Sequence, residues 1–345
     1  MSNQRTPDDI CFLCKISTAD KKGSHFTPIG ILKKVVGKRG AEHEVTIDPF
    51  GGQISEYFGR ENLKNTDPTI RQSDNVADYI FCSACEKKLG IIEGECIDKL
   101  HKFSDNLLNG TLRIEKTAAG NAFFRFTKPH KNVVTLFFYS IIWRQILNDS
   151  LSHNVQFPAF FIEALRQIVY REINNSLTDI ENSPNYQNYP KLIIYTTYHN
   201  TVNPTGFTYG PNPYPSNPEV FTIGIYETLI FKNNILSEQF SLTTKLPTLI
   251  IDGDLIINNS KDGIIGVIDL NIWEAKTKWF YAKAADDFIR TYTDKIVEAT
   301  GLSSEEAEKY LKVEMQMISE KTKAHNYANY FTEAVENIIK KNTKN

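Results

Sequence analysis

Two Cys-x-x-Cys pairs, Cys11/Cys14 and Cys82/Cys85, constrain this chain more than any other feature of it. A two-residue spacer lets both sulfurs of a pair face one ion, and thiolates hold zinc tetrahedrally. The chain has five cysteines, an odd number that argues against a disulfide framework. In a reducing compartment such pairs read as metal ligands. Four thiolates complete a tetrahedral shell, so the predicted zinc is structural and leaves no position open for substrate. Neither pair follows a strand in a βαβ pattern, which disfavours a redox role. The fifth cysteine, Cys96, falls among Leu89, Ile92, Leu100 and Phe103 at helical spacing and is expected to be a small buried hydrophobe.

With 345 residues, the chain has room for two domains. Apolar residues make up 41% and charged residues 23%, ordinary globular usage that excludes wholesale disorder or a fibrous repeat. The formal net charge of −2 means that any phosphate binding must come from a local basic patch. No apolar stretch approaches the roughly 20 residues that cross a bilayer. Met1 to Ile10 is polar, without the apolar core of a signal peptide, so a cytoplasmic chain with no membrane partner is expected.

The second cysteine pair runs into the Leu89–Phe103 stripe and so sits at a helix start, whereas the first lies in a short loop. One pair in a loop and one opening a helix is the arrangement of a treble-clef zinc site. The stretch from Gly37 to Ser73 is polar and glycine-containing and reads as an insertion loop or small hairpin. Thr111–Glu115 and Ala122–Thr127 read as a hairpin, Val133–Leu147 as a buried helix, and Phe160–Ile168 as a one-sided helix. Strands are expected at Lys191–Tyr198, Val220–Phe231, Thr248–Ile251, Leu255–Ile257 and Ile264–Leu270, with Asp252-Gly253 as a tight turn. Ser303 and Glu306 predict a capping box opening a C-terminal helix. The expected fold is therefore α+β. Residues 1–105 form a treble-clef, ββα-like zinc module, and residues 106–345 a larger region of helices and antiparallel sheet.

Cys11-x-x-Cys14, then Ser24-His25 followed by Pro28, then Cys82-x-x-Cys85-Glu86, resembles the HNH, or His-Me finger, endonuclease core. The likeness is to a bacterial subgroup with a Ser-His-x-x-Pro element and a Cys-Glu after the last pair. It covers about the first 105 residues, and the segment Ser140-Ile141-Ile142-Trp143-Arg144 is similar to that subgroup as well. The resemblance implies that His25 is a general base activating water against a phosphodiester, with a divalent cation, Mg²⁺ or Mn²⁺, neutralising the developing charge. An imidazole near pKa 6.5 suits that role at neutral pH. The family places Asp, Glu or His before the base as a cation ligand, and Asn or His after the last cysteine, with a second His one turn on. Here those residues are Ser24, Glu86 and Leu89. Glu86 is the candidate to take the cation, and Asp78 or Asn75 the candidate for the family's central Asn.

Lys33, Lys34, Lys38 and Arg39, with Lys21 and Lys22 just before His25, form a basic cluster suited to phosphate contacts. Nucleic acid, DNA foremost, is the expected partner, alongside a protein partner or a second copy of the chain. A rival Asp…Glu-x-Lys constellation occurs at Asp269, Glu274 and Lys276. No phosphate-binding Gly-x-x-x-x-Gly-Lys loop and no Gly-x-Ser-x-Gly elbow is present. The expected function is a metal-dependent endonuclease, of a kind that suits restriction or antiviral defence. The alternative is a catalytically silent zinc module that binds nucleic acid or a protein.

Overall fold

The computed structural model describes residues 5–31, 43–48, 53–58, 75–101, 103–117, 120–126, 128–152, 157–197, 209–211, 219–224, 226–231, 250–251, 254–255, 263–268, 286–287, 289–321 and 327–343. It is a mixture of helix and sheet, α+β as expected. The chain divides into two units, one of Met1–Val35 and Ser73–Trp273, the other of Val36–Gln72 and Glu274–Asn345. These cuts differ from the boundary at residue 105 expected from the sequence. One continuous hydrophobic core runs from Cys11 and Leu13 through Cys96 and Trp143 to Ile230 and Ile265, across that position.

In the first unit, β1 (Ser24–His25) pairs antiparallel with β4 (Val76–Ala77), matching Ser24 to Ala77 and His25 to Val76. Helix α1 (Ser83–His101) follows, opening at the second cysteine pair. Cys96 is fully buried on it and meets the Val133 carbonyl, as its stripe predicts. After a short α2 (Phe103–Leu108), β5 (Leu112–Lys116) and β6 (Ala122–Phe126) form the expected hairpin. These begin a seven-stranded sheet that continues with β7 (Lys191–Thr197), β8 (Tyr209–Pro211), β9 (Glu219–Ile223), β10 (Tyr226–Phe231) and β13 (Gly263–Ile268), ordered β5-β6-β13-β7-β10-β9-β8.

Two expectations for this sheet need correction. Val220–Phe231 is two paired strands, because Gly224 turns the chain at φ +63°, a backbone region glycine enters at no steric cost. The sheet is also not purely antiparallel. β13 returns between β6 and β7 and runs parallel to β7. Gly263 sits against the Phe126 ring opposite it, where a Cβ would come within 2.1 Å of the ring.

The centre of this unit is α3 (Lys131–Ser152), which packs against α1, α4 (Ala159–Glu172), α5 (Leu177–Asn182) and the sheet. Every residue from 136 to 148 is buried. A helix apolar on nearly all sides belongs in an interior. Among its apolar residues lie four buried polar ones, Ser140, Arg144, Gln145 and Asn148, which recur at helical spacing along one stripe.

The second unit joins distant parts of the chain. Between β1 and β4 lies a hairpin, β2 (His43–Asp48) with β3 (Gln53–Phe58), and the C-terminal helix Tyr327–Asn342 packs on β3. Helices α6 (289–300), α7 (Ser304–Lys321) and α8 (Tyr327–Asn342) share a small core of Tyr292, Ile296, Ala307, Leu311, Ala334, Val335 and Ile338. The Ser303 hydroxyl and the Glu306 carboxylate cap α7 reciprocally, as predicted. A short pair, β11 (Ile250–Ile251) with β12 (Asp254–Leu255), matches the expected hairpin, although its turn lies outside the described residues. Among the described residues no helix is long and apolar enough to cross a membrane.

Candidate metal centre and the His25 strand

The four cysteines converge. Cys11, Cys14, Cys82 and Cys85 are all buried, and their sulfurs lie within 4.8 Å of one another. Cys14 Sγ and Cys82 Sγ are 3.9 Å apart. Zinc–sulfur bonds of about 2.3 Å at tetrahedral angles place sulfurs about 3.8 Å apart, so this spacing fits such an ion. Four cysteines set this close can hold a metal ion.

Local sequence builds each arm of the cluster. The Lys15 N–H donates to the Cys11 carbonyl at 2.9 Å, and Lys15 turns the loop at φ +55°. The Ser17 N–H points at Cys14 Sγ, 3.5 Å away. Arg166 of α4 donates to the Leu13 carbonyl at 2.5 Å and is itself gripped by Glu163, which also pairs with Lys15. The other arm is the first turn of α1. Asp20 caps that helix, accepting from the Ser83 N–H at 2.6 Å and the Ser83 hydroxyl at 2.8 Å. Within the cluster the Cys11 thiol is drawn below the ordinary cysteine range, by its hydrogen bond with Cys85 above all, and further by nearby backbone N–H groups. The same pairing and burial push Cys85 up.

Beside the cluster lies the His25 strand. Ser24 is fully buried and His25 half-buried. Strand alternation turns their side chains to opposite faces of β1. Glu86, in the first turn of α1, stands against the Ser24 hydroxyl, and Ser24 Oγ and Glu86 Oε2 are both buried. Burial raises the Glu86 carboxyl, and the neighbouring Arg144 charge and Ser24 hydroxyl act against that rise. The candidate ligand and the residue preceding the candidate base are therefore brought together.

Asn75 and Asp78 have other work. Asn75 is fully buried and clamps the Thr27 backbone, its Oδ1 accepting from the Thr27 N–H at 2.8 Å and its Nδ2 donating to the Thr27 carbonyl at 3.0 Å. Asp78 is exposed and accepts from the Gly23 N–H at 2.8 Å. Leu89, where the family has a second histidine, is buried apolar core. Of the basic cluster, Lys21 and Lys22 are exposed, whereas Lys33, Lys34, Lys38 and Arg39 lie outside the described residues. So do Asp269, Glu274 and Lys276.

The sequence reading gave no role to Arg144, on the polar stripe of α3. It is 3% exposed. It donates to the His25 carbonyl at 3.1 Å, pairs with Glu93 of α1 at 2.8 Å, and turns back to the Ser140 carbonyl at 3.1 Å and hydroxyl at 3.3 Å. Next to it, Gln145 donates to the Thr27 hydroxyl at 3.2 Å. One signal was available: an arginine inside an apolar helix requires a partner, because charges are almost never buried without one.

Compared with known proteins, the chain matches no family model, no curated protein and no solved structure.

Proposed function

We propose that this chain is a metal-dependent endonuclease of the HNH type, with a structural zinc ion on Cys11, Cys14, Cys82 and Cys85 and His25 as the general base. The reading is supported by one observation: the four cysteines converge from the loop before β1 and from the start of α1, and the β1–β4 pair bearing His25 lies between them in the chain, the order a treble clef would have. The ion fixes strand to helix, and His25 then takes a proton from the attacking water, a contribution of about 10²–10⁴ in rate. Glu86, whose Oε2 is buried beside the Ser24 hydroxyl, is the carboxylate this reading assigns to a Mg²⁺ or Mn²⁺ ion. Such an ion supplies charge neutralisation at the phosphate. Lys21 and Lys22, with Lys33, Lys34, Lys38 and Arg39, hold the DNA backbone.

A second reading has its own support. Leu89 is buried where the family has a ligand, Ser24 is a weak ligand, and the charges of Arg144 and Lys21 act on Glu86, where a cation would compete with them. On this view the finger binds nucleic acid or a protein without cutting. Incubating plasmid and single-stranded DNA with the full chain, in Mg²⁺ or Mn²⁺, separates the two. Cleavage that His25→Ala abolishes while bound zinc stays unchanged supports the nuclease. Binding without cleavage, alike in wild type and variant, supports the silent module.

A further inference from the structure

A strand of two residues has one partner and an open second edge, and a buried carbonyl on that edge needs a donor. At His25 the donor comes from 119 residues away, the guanidinium of Arg144. Arginine has five N–H groups in a rigid fork. Four acceptors meet this fork: the Ser140 carbonyl and hydroxyl on its own helix, the Glu93 carboxylate on α1, and the His25 carbonyl on β1.

Replacing a buried ion pair by apolar residues of similar size is often neutral or stabilising. A leucine or methionine at 144 would suit the rest of α3, whose buried neighbours include Ile141, Ile142 and Trp143. Stability alone therefore does not account for an arginine here. A guanidinium adds direction, because it spans three elements at once and sets the strand carrying the imidazole against the helix carrying Glu86. Gln145 repeats the device one residue later, holding the Thr27 hydroxyl, and Asn75 holds the Thr27 backbone from the other side.

We propose that Arg144 is a positioning residue for His25, fixing the main chain of the candidate base to α1 and α3. The proposal deepens the nuclease reading and rests on it for the kinetic effect alone. Arg144 is too deeply buried to reach a phosphate, so it acts through His25. Lysine keeps the charge but is a compact point donor without the planar fork, so it cannot span Ser140, Glu93 and His25 together.

The test uses the full chain with zinc bound and compares wild type, Arg144→Lys and Ser140→Ala. Two readouts are taken: the nitrogen and proton resonances of the His25 imidazole, and kcat and KM for plasmid cleavage. In Arg144→Lys, zinc content is expected to hold while the His25 resonances move. Its kcat falls about 10²-fold with KM within about twofold, since misplacing a reacting group by about 1 Å costs that much. Ser140→Ala, which frees one edge of the fork, moves both in the same direction by about 3- to 10-fold in kcat. Unmoved His25 resonances with an unchanged kcat overturn the proposal. So does a lower yield of folded protein whose His25 resonances match wild type, which would make Arg144 a core anchor only. If Arg144→Lys fails to fold, Ser140→Ala decides by the same criteria. If the wild type cleaves nothing, the nuclease reading falls, and the resonances alone still decide for or against Arg144.

Discussion

The four-cysteine segment, or finger, residues 5–31 and 75–101, and the sheet with its central helix share one core but draw on different forces in different measure. The sheet side is aromatic and aliphatic: Phe123, Phe124, Phe138, Tyr195, Phe221 and Tyr226 are all 2% exposed or less. Such burial stabilises by about 25 cal/mol per Å² of apolar area and needs no directed contacts. The finger's buried large apolar residues are Leu13, Phe26, Ile31, Ile80, Phe81, Leu89, Ile92 and Leu100, of which only two are aromatic. Directed bonds make up the difference: Asp20 on Ser83, Asn75 on Thr27, Arg166 on Leu13, Arg144 on His25. A core of apolar packing tolerates substitution of similar volume. A scaffold of directed bonds fails when one donor is removed, and holds a reactive side chain more sharply while it lasts.

The largest expected effect follows from the thiol cluster. Structural zinc supplies about 10–16 kcal/mol in small finger domains, comparable to the whole stability of an ordinary domain. Removing metal with a strong chelator should expose the backbone amides of residues 5–31 and 75–101 to exchange by at least about 10³-fold, while strands β7 and β10 keep their protection. Equal loss of protection in both regions would erase the contrast and make finger and sheet one cooperative unit.

The converse experiment perturbs the sheet. Ile230 is fully buried in β10, opposite Leu192 of β7. Ile230→Ala removes buried methyl groups and leaves a cavity, a change worth about 2–5 kcal/mol. Denaturant unfolding should register that loss while metal stoichiometry stays at the wild-type value. Loss of metal in this variant would mean that the sheet, and not local bonding, organises the thiols.

The same contrast explains what could be read from the sequence. Local signals succeeded. The cysteine spacing located the cluster, the Leu89–Leu100 stripe located α1, and Ser303 with Glu306 located the start of α7. Each depends on residues within a turn or two of one another. Long-range pairings were beyond reach. Nothing near residue 43 announces that its hairpin joins helices beyond residue 289, and nothing near β13 fixes a parallel partner. In the site, Ser24, His25 and Glu86 were legible as candidates because they sit at motif spacing. Asn75 was a candidate for the family's central Asn, and the structure shows it clamping a backbone, since an amide offers donor and acceptor together and Thr27 presents both. Arg144 was visible as a residue but not as a partner of His25, because that contact depends on how two distant elements meet.

The smallest effect concerns an ion-pair cluster that leans on the Cys11–Cys14 loop. Glu163 lies far below the ordinary carboxylate range, held there chiefly by Arg166 and further by Lys15 and Gln167. Its side chain is 37% exposed, so solvent screens most of the apparent gain. A carboxylate depressed in the folded state stabilises fully above its unfolded pKa of about 4.3, and that contribution fades as pH falls toward the folded value. Glu163→Gln should therefore lower stability at pH 7 by about 0.2–1 kcal/mol, and by less in high salt. Below pH 4 the two proteins should converge in urea unfolding. A difference that stays constant with pH would assign the effect to the hydrogen bonds of Arg166 and not to charge. Directed geometry would then govern even this exposed edge of the finger, and the division between the two regions would be sharper than electrostatics alone makes it.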